Sequence, residues 1–175
     1  MSSPLPPLTL VLGGARSGKS AFAEGLLSGQ AQPLYIATCQ IYDDEMAERV
    51  RLHQSRRPAP WVTVEEPLDL AGALLREAQP GRAILVDCLT LWISNLMMAE
   101  RDIPAAIEAL CRTVTSLACP VVFVANEVGL GIVPDNALAR AFRDHAGRLN
   151  QSLAALCQKV AFVAAGLPLM LKDTP

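Results

Sequence analysis

The chain has 175 residues, 51% hydrophobic but only 5% aromatic, and its 15 basic and 17 acidic side chains leave a formal charge of −2. That length holds one α/β domain with a full core and is too short for two with a linker; a core of Leu, Val, Ile and Ala suits a parallel sheet covered by helices. The charge balance offers no general attraction to polyanions, which argues against a nucleic-acid partner, and no stretch reaches the roughly 18 uninterrupted apolar residues of a membrane span.

Five scattered cysteines (Cys39, Cys88, Cys111, Cys119 and Cys157) form no C-x-x-C pair and have no histidines at zinc spacing, so they read as free thiols in a reducing compartment. Residues 1–7 are rich in Ser and Pro and lack the basic and apolar regions of a secretory leader. The expectation is a cytoplasmic protein: a disordered extension over 1–7, then a single domain over 8–175.

In chain order, the apolar run 8–12 predicts a buried strand that leads into Gly13-Gly14-Ala15-Arg16-Ser17-Gly18-Lys19-Ser20 and a helix over 19–27. The octet fits G-x-x-x-x-G-K-[ST], a phosphate-binding loop between strand and helix, the context it requires. In such a loop backbone N–H groups point at nucleotide phosphates and the helix N-terminus adds positive potential. Lys19 reaches the β- and γ-phosphates and Ser20 offers a ligand to Mg²⁺. The chain is therefore expected to bind a nucleoside triphosphate.

Further apolar runs at 34–37, 61–64, 83–86, 121–125 and 160–164 predict buried strands. Helical patterns separate them at 43–55, 68–78, 89–100, 103–117 and 137–158, the fourth opening with Asp102 as N-cap and Pro104 in its first turn. Residues 169–172 read as a short strand added at an edge. Strands alternating with helices imply parallel pairing with right-handed crossovers in a doubly wound sheet, whose ligands collect at the C-terminal ends of the strands. Those positions are polar here: Thr38, Cys39 and Gln40; Glu65 and Glu66; Asp87; Asn126 and Glu127.

Asp87 ends the run Ala83-Ile84-Leu85-Val86, the form of a Walker B segment, read as a strand next to the phosphate loop whose acid holds Mg²⁺. The other reading is an Asp that caps the helix after it. On the 43–55 helix, Asp43, Met46, Val50 and His53 share a face, with Arg56 and Arg57 following. His53 reads either as a packed structural side chain or as a neutral imidazole that attacks phosphorus while the arginines hold phosphate oxygens. Asn126-Glu127-Val128-Gly129-Leu130-Gly131-Ile132-Val133-Pro134 makes a shaped loop. There Asn126 and Glu127 stand where they bind substrate or bridge to the metal; His145 reads as structural or exposed.

Three stretches together resemble one family: G-G-A-R-S-G-K-S; Ile36-Ala37-Thr38 through Asp43-Asp44-Glu45-Met46 to His53 and Arg57-Pro58; and N-E-V-G-x-G-I-V-P with F-R-D-x-x-G-R-x-N-Q. The family is the bifunctional adenosylcobinamide kinase/adenosylcobinamide-phosphate guanylyltransferase of cobalamin biosynthesis, and the resemblance covers nearly the whole chain. It implies a recombinase-like P-loop NTPase fold in three layers, a mostly parallel sheet flanked by helices, assembled as a homotrimer. It implies two reactions: phosphorylation of adenosylcobinamide by ATP or GTP, then transfer of GMP from GTP onto that phosphate through a guanylylated histidine, which matches His53. By the same resemblance the phosphate loop (Gly13, Gly14, Ala15, Arg16, Ser17, Gly18, Lys19, Ser20) holds nucleotide. Ala37, Thr38, Cys39, Gln54, Ser55, Arg56, Arg57, Glu65 and Asp87 complete the nucleotide site. Ser20 and Asp87 are the expected Mg²⁺ ligands, Lys19 and His53 the expected catalytic residues.

Two other readings stand beside this one. A P-loop kinase of another small alcohol, without nucleotidyl transfer, would keep His53 structural and acquire no GMP. A regulatory nucleotide-binding protein would have no need for Lys19, Ser20 and Asp87 together.

Overall fold

The computed structural model describes residues 5–40 and 59–174. Seven strands form one sheet in the order β3-β2-β4-β5-β1-β6-β7. They are β1 (Leu8–Gly13), β2 (Gln32–Ala37), β3 (Val62–Glu65), β4 (Arg82–Asp87), β5 (Val121–Asn126), β6 (Lys159–Ala164) and β7 (Leu167–Asp173). Every pairing is parallel except β6 with β7. The helices are α1 (Lys19–Leu26), α2 (Leu70–Glu77), α3 (Leu89–Met98), α4 (Ile103–Val114) and α5 (Ala137–Leu156). The helix expected over 43–55 lies outside the described residues.

The central strands are apolar on both faces because both are covered. In β1, Leu8, Leu10 and Leu12 enter one core while Val11 enters the other; Ile84 and Val86 part from Ala83 and Leu85 in β4, and Val121 and Phe123 from Val122 and Val124 in β5. The first core is closed by α2, α3, α4 and α5 through Leu74, Trp92, Leu110 and Leu149; the second packs on α1 through Ala23 and Leu27. Each of the leucines among them, taken fully from water, stabilises the fold by about 1.5–3 kcal/mol. Within the expected N-terminal extension, Leu5 packs against the second core and the Pro7 carbonyl accepts from the Val121 N–H.

Local signals account for the helix boundaries. Asp69, Asp102 and Asn136 each accept, through the side chain, the backbone N–H three residues on, at 3.0, 3.0 and 2.8 Å, capping α2, α4 and α5. The predicted start at 68 moves to Leu70 because the Glu66 carboxylate accepts from the N–H groups of Leu68 and Asp69, holding them in a turn. The predicted end at 100 retreats to Met98, and Glu100 takes a left-handed φ of 52°. The run 61–64, expected to be buried, is instead the edge strand β3, paired among the described residues with β2 alone; Val62 and Thr63 are exposed.

The edge strand expected at 169–172 is the longer β7. Ala165 (φ 52°) and Gly166 (φ 78°) form the two-residue connection between β6 and β7, the left-handed pair that a tight hairpin requires. That turn has a second contact: the Gly166 N–H donates to the Ser17 carbonyl at 2.8 Å, tying the hairpin to the loop after β1.

Candidate active site

The loop after β1 is built by its glycines. A Cβ on Gly13 would stand 2.5 Å from both Ser17 Oγ and the Val163 carbonyl oxygen, and one on Gly18 would meet Gly166 Cα at 3.0 Å. Gly18 is also the N-cap of α1, with φ 93°, and makes no side-chain cap. Unlike the helix starts at Asp69, Asp102 and Asn136, the start of α1 leaves its first N–H groups without a side-chain acceptor, as anion binding requires. Lys19 is only 8% exposed and its Nζ donates to the Gly14 carbonyl at 3.0 Å, so the ammonium folds back over the loop. Ala15 and Arg16 are exposed at the loop's tip, and Ser20 is half-buried in the first turn of α1.

Around this loop the strand ends gather most of the expected residues. Glu127 N–H donates to the Gly13 carbonyl at 3.0 Å, and Asn126 pairs in register with Gly13. Two buried side-chain oxygens here, Ser17 Oγ and Asn126 Oδ1, have no partner among the described residues. One sequence reading is corrected: β4, which carries Asp87, is not next to β1, because β5 lies between them. Local sequence cannot report strand order, since β4 and β5 are equally apolar. Glu127 follows β5, the neighbour of β1, and its Oε1 accepts from the Gly129 N–H. Asp87 and Lys19 nevertheless both lie within electrostatic reach of the Cys88 thiol, which follows Asp87 at the end of β4. It does not cap α3, whose N-cap is Cys88 with no side-chain hydrogen bond.

Thr38 links β2 to β4. Its hydroxyl donates to the Cys88 carbonyl at 2.6 Å and accepts from the Cys88 N–H at 2.9 Å, and its N–H donates to the Asp87 carbonyl at 3.4 Å. Asn95, buried on α3, donates to the carbonyls of Thr38 at 2.7 Å and Pro67 at 3.1 Å. Thr90 Oγ1 accepts from the Asn126 N–H at 2.7 Å. Sequence reasoning passed over Asn95, Thr90 and Gly166. The available signal was an amide within the apolar helix Leu89–Met98, a residue that must find partners when buried.

Ala37 ends β2, Cys39 follows Thr38, and Glu65 is exposed at the end of β3. Burial pushes the Cys39 thiol up from its ordinary value, and the Glu65 and Asp87 carboxylates add to this, so the three ends converge electrostatically. His53, Gln54, Ser55, Arg56 and Arg57 lie outside the described residues.

Burial, seconded by Asp87, pushes Cys88 up to about 12; burial also takes Cys157 to about 12. Folding favours the neutral thiols, so their contribution is complete below the unfolded value of 9.0 and declines as pH rises from there toward 12. The expected result is a urea midpoint that falls between pH 9 and pH 11, by less in a Cys88→Ala, Cys157→Ala double variant. At pH 8 a thiol reagent should modify these two cysteines only after unfolding.

Among the described residues no group of three or more His, Cys, Asp or Glu side chains converges on a metal position. Mg²⁺ needs no such cage: it is ordinarily held by one or two protein oxygens with phosphates and water. The Ser20 hydroxyl and the Asp87 carboxylate are donors of that kind, so the residues present fit it.

A glycine loop leading into an uncapped helix, a lysine folded over it and polar strand ends beside it define a P-loop NTPase-type nucleotide-binding protein. Solved structures agree in fold: a protein of Pyrococcus horikoshii OT3 is 9% identical with a TM-score of 0.57 over 98% of this chain and 89% of that one. An ATPase of a bacterial type III secretion system is 8% identical with a TM-score of 0.55 over 93% of this chain and 56% of its own. The chain belongs to the cobinamide kinase/cobinamide phosphate guanyltransferase family, whose model matches residues 9–171. It is 47% identical to the bifunctional adenosylcobalamin biosynthesis protein CobP of Pseudomonas aeruginosa, over 95% of this chain and 98% of that one. It is 44% identical to the corresponding CobU of Salmonella typhimurium, over 94% of this chain and 99% of that one.

Proposed function

We propose that this chain carries out both reactions of its family in one domain spanning residues 8–175. In the first, the terminal hydroxyl of adenosylcobinamide attacks the γ-phosphorus of ATP or GTP. Its O–P bond forms as the bond to the β-phosphate bridging oxygen breaks; the nucleoside diphosphate leaves and the hydroxyl proton is released. In the second, a ring nitrogen of His53 attacks the α-phosphorus of GTP and expels pyrophosphate. The corrinoid phosphate then displaces the imidazole, giving adenosylcobinamide-GDP and free histidine.

One observation carries this reading: a buried lysine held over an uncapped phosphate loop in a chain of this family. The sequence holds one such loop, and in this reading it serves both reactions. Its N–H groups and Lys19 bind the phosphates; Gln54, Ser55, Arg56, Arg57, Glu65, Ala37, Thr38 and Cys39 complete the nucleotide site, while Asn126 and Glu127 face substrate. Ser20 and Asp87 would hold Mg²⁺, which when bound supplies charge neutralisation at the phosphates. The resemblance further supports a cytoplasmic homotrimer; no helix among the described residues is long and apolar enough to cross a membrane.

The test supplies the full chain with Mg²⁺, adenosylcobinamide and ATP, then GTP, and follows products by mass. The expected sequence is the corrinoid phosphate, then its GDP ester with one equivalent of pyrophosphate. Phosphorylation of another alcohol, with the corrinoid untouched, would move the assignment to the simple kinase.

A further inference from the structure

Beside the strand ends, two grooves meet across α3. One, of about 620 Å³, is lined by Cys39, Gln40, Leu91, Ser94 and Met98 among others; the second, of about 340 Å³, by Met97, Met98, Leu138, Phe142 and Asn136 with Ser94. They share Ser94 and Met98, so they adjoin along α3 as a trough with these two side chains between its halves, reaching from the end of β2 to the first turn of α5.

Among the described residues, none that lines either groove carries a charge. The described lining offers the phosphates of a second nucleotide no lysine or arginine such as Lys19 provides at the loop. The lining instead combines apolar side chains with hydroxyls and amides, namely Ser94, Asn95, Gln40 and Asn136. Met98 and Leu138 are 72% and 64% exposed, an apolar display on the face where ligands of this fold collect. The trough also begins in the right place. Cys39 lines it and follows Thr38, whose N–H donates to the Asp87 carbonyl at 3.4 Å, so one end of the trough lies by the strand end that carries Asp87.

We propose that this trough is the platform for the corrin macrocycle, with Met98 at its centre and Leu138 and Phe142 at its far end. A corrin ring presents apolar methyl and methylene edges punctuated by neutral amides, which is the chemistry the lining answers. The single arm carrying the reacting hydroxyl leaves the ring toward Cys39. This placement rests on the substrate proposed above. Met98 and Leu138 are largely exposed in the single chain, so substituting them leaves the packed core intact.

The test measures binding of adenosylcobinamide to the full chain by equilibrium dialysis, followed at the corrin absorption band, for the unsubstituted protein, Met98→Glu and Leu138→Glu. Leu171→Glu on β7 is the control at another exposed leucine, 57% exposed. Burying a carboxylate against the ring edge should weaken corrinoid binding and raise its KM about tenfold or more in the first two variants. Acquisition of GMP from GTP reports that the nucleotide site is intact, and sedimentation reports assembly. Corrinoid affinity unchanged in both trough variants would overturn the placement, as would a change of assembly mass, which would make the trough a surface between copies of this chain. If the unsubstituted protein binds no corrinoid, the substrate reading itself falls, and the placement with it.

Discussion

A His53→Ala protein incubated with Mg²⁺ and GTP labelled at the α-phosphate acquires no acid-labile, base-stable label, whereas the unsubstituted protein does. Guanylyl transfer to the corrinoid phosphate falls by about three orders of magnitude or more, the scale on which removal of a covalent nucleophile is felt. Two displacements at the α-phosphorus through a phosphoramidate replace one direct attack by a dianionic phosphate on an anionic triphosphate, a collision that charge repulsion opposes. Alanine offers no nucleophile, and water in its place gives GMP rather than product. The kinase half needs no covalent intermediate, so this variant still phosphorylates adenosylcobinamide. Only one other histidine is present, His145. It lines a separate groove between α4 and α5 with Glu108 and Arg148. Label mapped to His145, or persisting in the variant, would overturn the role of His53.

Lys19→Ala is expected to depress both reactions. Its ammonium is nearly buried and donates to the Gly14 carbonyl at 3.0 Å, so it is held over the loop before any nucleotide arrives. Charge that develops on phosphate oxygens during transfer then meets a fixed cation at little reorganisation cost, and losing one such donor costs about 10²–10³-fold in turnover. The fold should survive: alanine is a good first-turn helix residue, and Lys19 links to the rest of the protein through one carbonyl of its own loop. Corrinoid phosphorylation and GMP labelling measured on the same preparation, with circular dichroism as the folding control, test this. Loss of phosphorylation with labelling intact would mean that the two reactions use different phosphate sites. The pairing of the two variants is what discriminates: His53→Ala removes one activity and Lys19→Ala removes both.

The order of strands and helices was legible in the residues because each element carries its own period and punctuation. Residues 8–12 and 121–125 are strands wherever they are placed, and Asp102 and Asn136 start helices by capping them. The phosphate loop was legible for the same reason, since close approach of backbone at Gly13 and Gly18 excludes a Cβ in a local context that sequence displays directly. Strand order was not. Strands apolar on both faces are interchangeable as local patterns, and only the pairing of β1 with β5 and β6 puts Asn126 and Glu127, rather than Asp87, beside the loop. The Ser17 contact with the β6–β7 turn, the Thr38 bonds to Cys88 and the trough across α3 likewise join residues far apart in the chain. Sequence by itself determined which groups are available for phosphate chemistry. Tertiary structure decided which of them meet, because contact across a sheet depends on register and neighbour order that no local period encodes.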